Sequence, residues 1–145
     1  MSDHVITFNA GSSSVKFALF SVGAGGVAQR AATGQVDGLG ADAHFEAQAA
    51  DGRILHDGHL LAGALRGHRD AFHAILALMG AAFPQLRLAA IGHRVVHGAM
   101  RFSASTAVDD AVLAQLRALV PLAPLHLPNN IAGIAAARSA FPAAP

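Results

Sequence analysis

The first 36 residues most limit what this chain can fold into. Two apolar runs, HVITF at 4–8 and SVKFALFSV at 14–22, are separated by a link of asparagine, alanine, glycine and serine. Their β-branched and aromatic content reads as strands. In the second run Val15, Phe17 and Leu19 share one face, and Lys16, Ala18, Phe20 and Val22 share the other. GAGG at 23–26 is a turn signal, and VAQRAATGQV at 27–36 reads as a third strand. Parallel neighbours need a crossover of about a dozen residues or more, so strands joined this tightly pair antiparallel. The chain begins as an antiparallel meander.

The pattern then changes. Residues 43–58 read as a hairpin around Asp51-Gly52, a strong turn dipeptide. Over 68–82 the spacing of Phe72, Ile75, Leu76 and Met79 predicts a helix, stopped by Pro84. LRLAAIGHRVVHG at 86–98 reads as a buried strand ending in a glycine turn. A helix is expected over 109–119, opened by Asp109 or its predecessor, with Val112, Leu116 and Leu119 inward. PLAPLHLPNN reads as a proline-rich loop, and 128–139 as a last helix with Pro128 near its first position. Ile131, Ile134, Ala135 and Arg138 are expected on one side of it. The order is meander, hairpin, α, β, α, α, an α/β fold with a mixed sheet. No internal repeat is found.

The 145 residues are one ordinary domain, enough to bury a core. With 53% hydrophobic and 13% charged residues the composition is that of a folded chain. A net charge of +1 gives no field that argues for nucleic acid or a membrane surface. There is no cysteine, hence no disulfide framework and no thiolate metal site, which fits a reducing compartment. No basic leader precedes an apolar stretch, and no apolar run approaches the length of a membrane span. The expectation is a soluble cytoplasmic protein.

Two stretches carry chemistry. NAGSSSVKF, 9–17, holds the only lysine of the chain. Gly11 allows a tight link, and small residues let backbone N–H groups approach an anion. Ser12, Ser13 and Ser14 add hydroxyls. Lys16 adds a compact cation suited to phosphate, and Asn9 a hard oxygen of the kind magnesium accepts. Glycine and serine are equally turn formers, so a plain turn stays open. This is no Walker A loop, because the glycine–lysine spacing is absent and a strand follows. The second stretch is IGHRVVHG, 91–98. On a strand Arg94 and Val96 share a face, a fitting pair for a short carboxylic acid: guanidinium for the carboxylate, valine for the methyl end. Arg94 paired to a structural acid is the competing reading. His93 and His97 have a spacing that converges on a metal only on a helix, and the run here is strand.

NAGSSSVKF after a short apolar strand resembles the first signature of the acetate kinases, within the acetate and sugar kinase, Hsp70 and actin superfamily. GHRVVHG resembles their second signature, although Ala99 and Met100 follow where another glycine is usual. LAPLHLPNN, 122–130, resembles a third, with Leu127 in place of an asparagine that would cap the coming helix. The resemblance spans essentially the whole chain. It implies a ribonuclease H-like (actin-like ATPase) domain, residues 1–145, as the N-terminal half of a two-domain kinase. It implies acetate binding by Arg94, Val96 and Leu125, phosphate or ATP contacts from Ser12, Ser14, Lys16 and His126, and magnesium placed by Asn9. It implies that the catalytic aspartate lies beyond Pro145, so that none is within the chain, and that the full protein dimerises through its other domain. The implied reaction is reversible transfer of phosphate from ATP to acetate, with magnesium. Propionate as acceptor, and a non-enzymatic phosphate- or partner-binding module, are the alternatives.

Overall fold

The structure is a computed structural model that describes residues 3–60, 63–95, 102 and 104–145. The meander forms as expected. β1 (Asp3–Ala10), β2 (Val15–Val22) and β3 (Ala28–Asp37) pair antiparallel. β4 (His44–Ala49) and β5 (Ile54–His59) extend it as the hairpin around Asp51-Gly52, where Gly52 takes a φ of 90° that favours glycine. β6 (Arg87–His93) joins the other side of β1, parallel to it. The sheet order is β5-β4-β3-β2-β1-β6.

One face of this sheet is the core. Ile6, Phe8, Val15, Phe17, Leu19, Val36, Phe45 and Ala47 are buried there by strand alternation. Phe72, Ile75, Leu76 and Met79 of α1 (His68–Ala82) pack onto them, the stripe that the spacing predicts. Phe8 and Phe72 meet edge to face, their ring centroids 4.6 Å apart. Gly67 gives α1 no side-chain cap. Asp70 in the first turn accepts instead from the Arg66 amide at 3.0 Å, in the manner of a capping box.

α2 (Asp110–Ala118) is capped by Asp109, whose carboxylate accepts from the Val112 amide at 2.8 Å. A short 3-10 turn, Val120–Leu122, occupies part of the expected proline-rich loop, and α3 (Leu127–Ala140) starts at Leu127 rather than Pro128. Leu113, Leu116, Leu127, Ile131 and Ile134 form a second, smaller core between α2 and α3. Leu127 is fully buried there. That burial contributes roughly 1.5–3 kcal/mol, more than the ~1 kcal/mol that a side-chain cap at this point would add.

Two expectations are corrected. Ala135 is exposed, while Ala136 and Ala137 lie inside with Ile131 and Ile134. A helix this rich in alanine and glycine has no strong apolar stripe, so its neighbours choose its inner face. β6 is the edge of the sheet among the described residues, half-buried rather than buried, and ends at His93. Residues 96–98 of the expected strand lie outside the described residues. Among those described, no helix is long and apolar enough to cross a membrane.

Gly133 of α3 lies against the Phe72 ring, where an added Cβ would come within 2.6 Å of a ring carbon. Alanine normally stabilises a helix interior over glycine by about 1 kcal/mol, but overpacking costs about 1–3 kcal/mol. Gly133→Ala is therefore expected to lower the urea midpoint. Gly80→Ala in α1, where an added Cβ meets nothing within 4 Å, is expected to raise it.

Candidate functional site

The face of the sheet opposite α1 is open at β1 and β2. Thr7, Asn9 and Lys16 are exposed on it, the outward half of the alternation that buries Phe8 and Phe17. Asn9 and Lys16 are direct register partners, which puts their Cβ atoms about 4.5–5.5 Å apart. β6 borders β1 on the other side. The Arg94 amide, one residue past β6, donates to the Phe8 carbonyl at 3.0 Å and continues the pairing. At the other end of β6 the Arg87 guanidinium donates to the Asp3 carboxylate at 2.6 Å.

These strands enclose a groove of about 480 Å³. Thr7, Phe8 and Asn9 form its floor, Lys16, Phe17 and Ala18 one wall, and Gly92, His93 and Arg94 the other. β2 and β6 are both neighbours of β1, so their backbones stand about 10 Å apart. That gap suits a small anion between Lys16 and Arg94. No acidic residue lines the groove among the described residues. Arg94 is exposed and has no carboxylate partner there, so the structural ion pair weighed against ligand binding is not seen among the described residues.

His93 packs against the rings of Phe8 and Phe72, with centroids 5.6 and 6.0 Å away. Burial pushes its pKa down to about 4, so it is neutral at pH 7. Sequence reasoning weighed His93 only as a metal ligand. Its ring therefore lies on the α1 face of the sheet, in register with Phe8, a placement set by the packing of β6 on β1 and α1, which its local sequence does not encode.

The link from β1 to β2 is a tight hairpin, and Ser12, Ser13 and Ser14 do not themselves line the groove. The Gly11 amide donates to the Ser14 carbonyl at 2.8 Å, and the Leu39 amide to the Ser13 carbonyl at 3.1 Å. Gly11 does not take a positive φ, and a Cβ there would come within 2.8 Å of Ser14 Oγ, the end of a side chain that can rotate away, so the turn favours a small residue without demanding glycine. Ser12 and Ser13 are exposed and Ser14 is half-buried.

The other expected site residues are not brought here. Val96 lies outside the described residues. Leu125 is 77% exposed and His126 is exposed, on the turn before α3, and neither lines the groove. For magnesium the groove offers the Asn9 amide oxygen and the Thr7 hydroxyl but no carboxylate. Magnesium commonly uses one or two carboxylates, waters and phosphate oxygens. Asn9 thus fits as one partner of an ion held mainly by other groups. A separate trio, His44, Glu46 and Asp57, has ligand atoms within 4.8 Å of one another on β4 and β5, at the opposite end of the sheet. His44 pairs with Asp57 at 2.9 Å, and Glu46 accepts from Gln35 at 2.8 Å, so these groups already satisfy one another.

The sequence pattern of the acetokinase family matches residues 4–145. The chain is 46% identical to an acetate kinase of Methylocella silvestris, with 98% of the chain and 37% of that protein covered. It is 40% identical to an acetate kinase of Rhodopseudomonas palustris, with 100% of the chain and 36% of that protein covered. Its structure superposes on Porphyromonas gingivalis acetate kinase with a TM-score of 0.80 and 28% identity, covering 97% of this chain and 35% of that one. A Francisella tularensis propionate kinase gives a TM-score of 0.78 and 29% identity, covering 99% and 35%. The fold is the expected ribonuclease H-like, actin-like ATPase fold. The chain spans little more than a third of the length of these relatives.

His93 makes stability depend on pH. Its pKa in the folded chain is below the ordinary value of 6.5. Between pH 6.5 and about 4 the unfolded chain binds the extra proton, so stability is full above pH 6.5 and falls as the pH drops through this window. The contribution is on the order of 3 kcal/mol. His93→Gln, neutral throughout, is expected to flatten the fall in urea midpoint between pH 7 and pH 4.

Proposed function

The chain belongs to the acetokinase family, and on that premise we propose that it forms the substrate-side half of an acetate kinase. The reaction is reversible transfer of the γ-phosphoryl group of ATP to acetate, giving acetyl phosphate and ADP. The observation that carries this reading is the single groove in which strands β1, β2 and β6 present Asn9, Lys16 and Arg94 without a competing acid.

In this proposal Arg94 takes the acetate carboxylate in a charge-assisted hydrogen bond and leaves one oxygen free to attack. That oxygen forms a bond to the γ-phosphorus as the bond to the ADP oxygen breaks. Such transfer depends on positioning and charge stabilisation more than on covalent help from the protein. Lys16, with the hydroxyls of Ser12 and Ser14, steadies the oxygens of the transferring group from the side opposite Arg94. His93 turns its neutral ring to the α1 face and adds no third cation to the groove. Magnesium, when bound, neutralises phosphate charge, and Asn9 is the groove residue suited to hold it or one of its waters. Val96, Leu125 and His126 are assigned to the acyl and phosphoryl contacts by resemblance alone.

The relatives are nearly three times as long; we place the catalytic aspartate just beyond Pro145 and assign most nucleotide contacts and the dimer interface to a second domain. The cytoplasm is the proposed compartment. Propionate is a second candidate acceptor, favoured by the likeness to a propionate kinase. The ratio of kcat/KM values for the two acids decides between them, since one methylene is worth about 1–3 kcal/mol.

Arg94→Ala in the full-length protein is expected to raise the KM for acetate and lower kcat. Loss of a charged hydrogen bond, on the order of 1.5–3 kcal/mol, corresponds to a fall of about 10- to 150-fold in kcat/KM. Unchanged acetyl phosphate production would sink the assignment. Lys16→Arg is expected to reduce turnover while leaving the urea midpoint near that of the parent. The 145-residue chain alone is expected to give no turnover.

A further inference from the structure

His68 is 57 positions from Gly11 in the chain, and its Nε2 lies 2.6 Å from the Gly11 carbonyl oxygen. The contact is part-buried and comes from the first residue of α1. A carbonyl only accepts, so Nε2 must carry the proton and donate. The histidine therefore either has the Nε2–H tautomer or is doubly protonated.

This bond completes a pattern in the serine link. The Gly11 carbonyl is held by His68, the Ser13 carbonyl by the Leu39 amide and the Ser14 carbonyl by the Gly11 amide. Three of the four carbonyls from Gly11 to Ser14 are thus committed to protein donors. Among the described residues, the amides of Ser12 and Ser13 meet no protein acceptor, and both residues are exposed. A loop that receives an anion needs this polarity. Carbonyl oxygens repel a phosphate, while free amides and hydroxyls attract it. Two of the three restraints come from neighbouring backbone. The third comes from a side chain that has no other hydrogen-bonding task among the described residues.

We propose that His68 is a positioning residue for the phosphate-binding serine loop. It donates from Nε2–H to the Gly11 carbonyl, keeping that oxygen turned from the phosphoryl group and the loop amides turned toward it. The inference deepens the function proposed above and rests on the loop being the phosphate contact. His68 touches neither substrate nor reacting atom and acts only through the loop.

The test compares His68→Phe, which keeps a ring but loses the donor, with His68→Gln, whose amide N–H can replace it. Both are made in the full-length protein and assayed in the two directions, with urea midpoints measured alongside. His68→Phe is expected to lower kcat about 10- to 100-fold, as misplaced reacting groups do, and to raise the KM for ATP and acetyl phosphate. The KM for acetate should stay near its original value, because Arg94 is untouched. His68→Gln is expected to recover most of kcat. Full activity in His68→Phe overturns the proposal, and so does a Gln variant as impaired as the Phe variant at equal stability. If the Phe variant does not fold, the imidazole 15N shifts of the unsubstituted protein decide. A protonated Nε2 is expected, and an Nδ1–H tautomer overturns the proposal. Lys16→Ala in the same assays separates the two failures. If it leaves phosphate-side kinetics unchanged, the phosphate-loop reading falls. If it impairs them while His68→Phe does not, only the role of His68 falls.

Discussion

β1 is paired on both sides by neighbours of opposite direction, antiparallel β2 and parallel β6. Its backbone sets the position of every groove residue. Asn9 stands near its end, Lys16 faces Asn9 across one ladder, and Arg94 is held across the other by its amide bond to the Phe8 carbonyl. The inward residues of the same strand, Ile6 and Phe8, are anchored in the core. A slip of one residue in either pairing would turn all these side chains to the wrong face. Core and groove therefore rest on the same register.

The electrostatics follow from that geometry. Two cations flank a strand that carries no acid into the groove among the described residues, and His93, its ring on the opposite face, is kept neutral by burial against Phe8 and Phe72. The link above is shaped by the same economy. Gly11 permits the turn, and the carbonyls around it are tied to His68, Leu39 and the link itself. Among the described residues, what remains uncommitted in the link includes the Ser12 carbonyl and the Ser12 and Ser13 amides. A groove built this way favours anions before any catalytic group is added.

Local sequence made much of this legible. The meander, the Asp51-Gly52 hairpin and α1 follow from alternation, turn chemistry and a 3.6-residue stripe, which are properties of neighbouring residues. Asn9, Lys16 and Arg94 stood out because their types suit phosphate, magnesium and carboxylate. α3 was read less well. Its alanines and Gly133 carry little amphipathic signal, so Phe72 and the α2 leucines determine which side is buried. Leu127 looked like a lost cap and is a fully buried core residue instead.

The sequence by itself determined the strands, their turns and the chemical types in the serine and arginine stretches, because periodicity and turn propensity act over a few residues. Only the tertiary structure decided that β6 lies beside β1, that Arg94 and Lys16 share one groove, that His93 is desolvated and that His68 reaches Gly11. Each of these joins segments tens of residues apart. Such contacts arise from the packing of one sheet face against α1 and α3, and no local pattern specifies them.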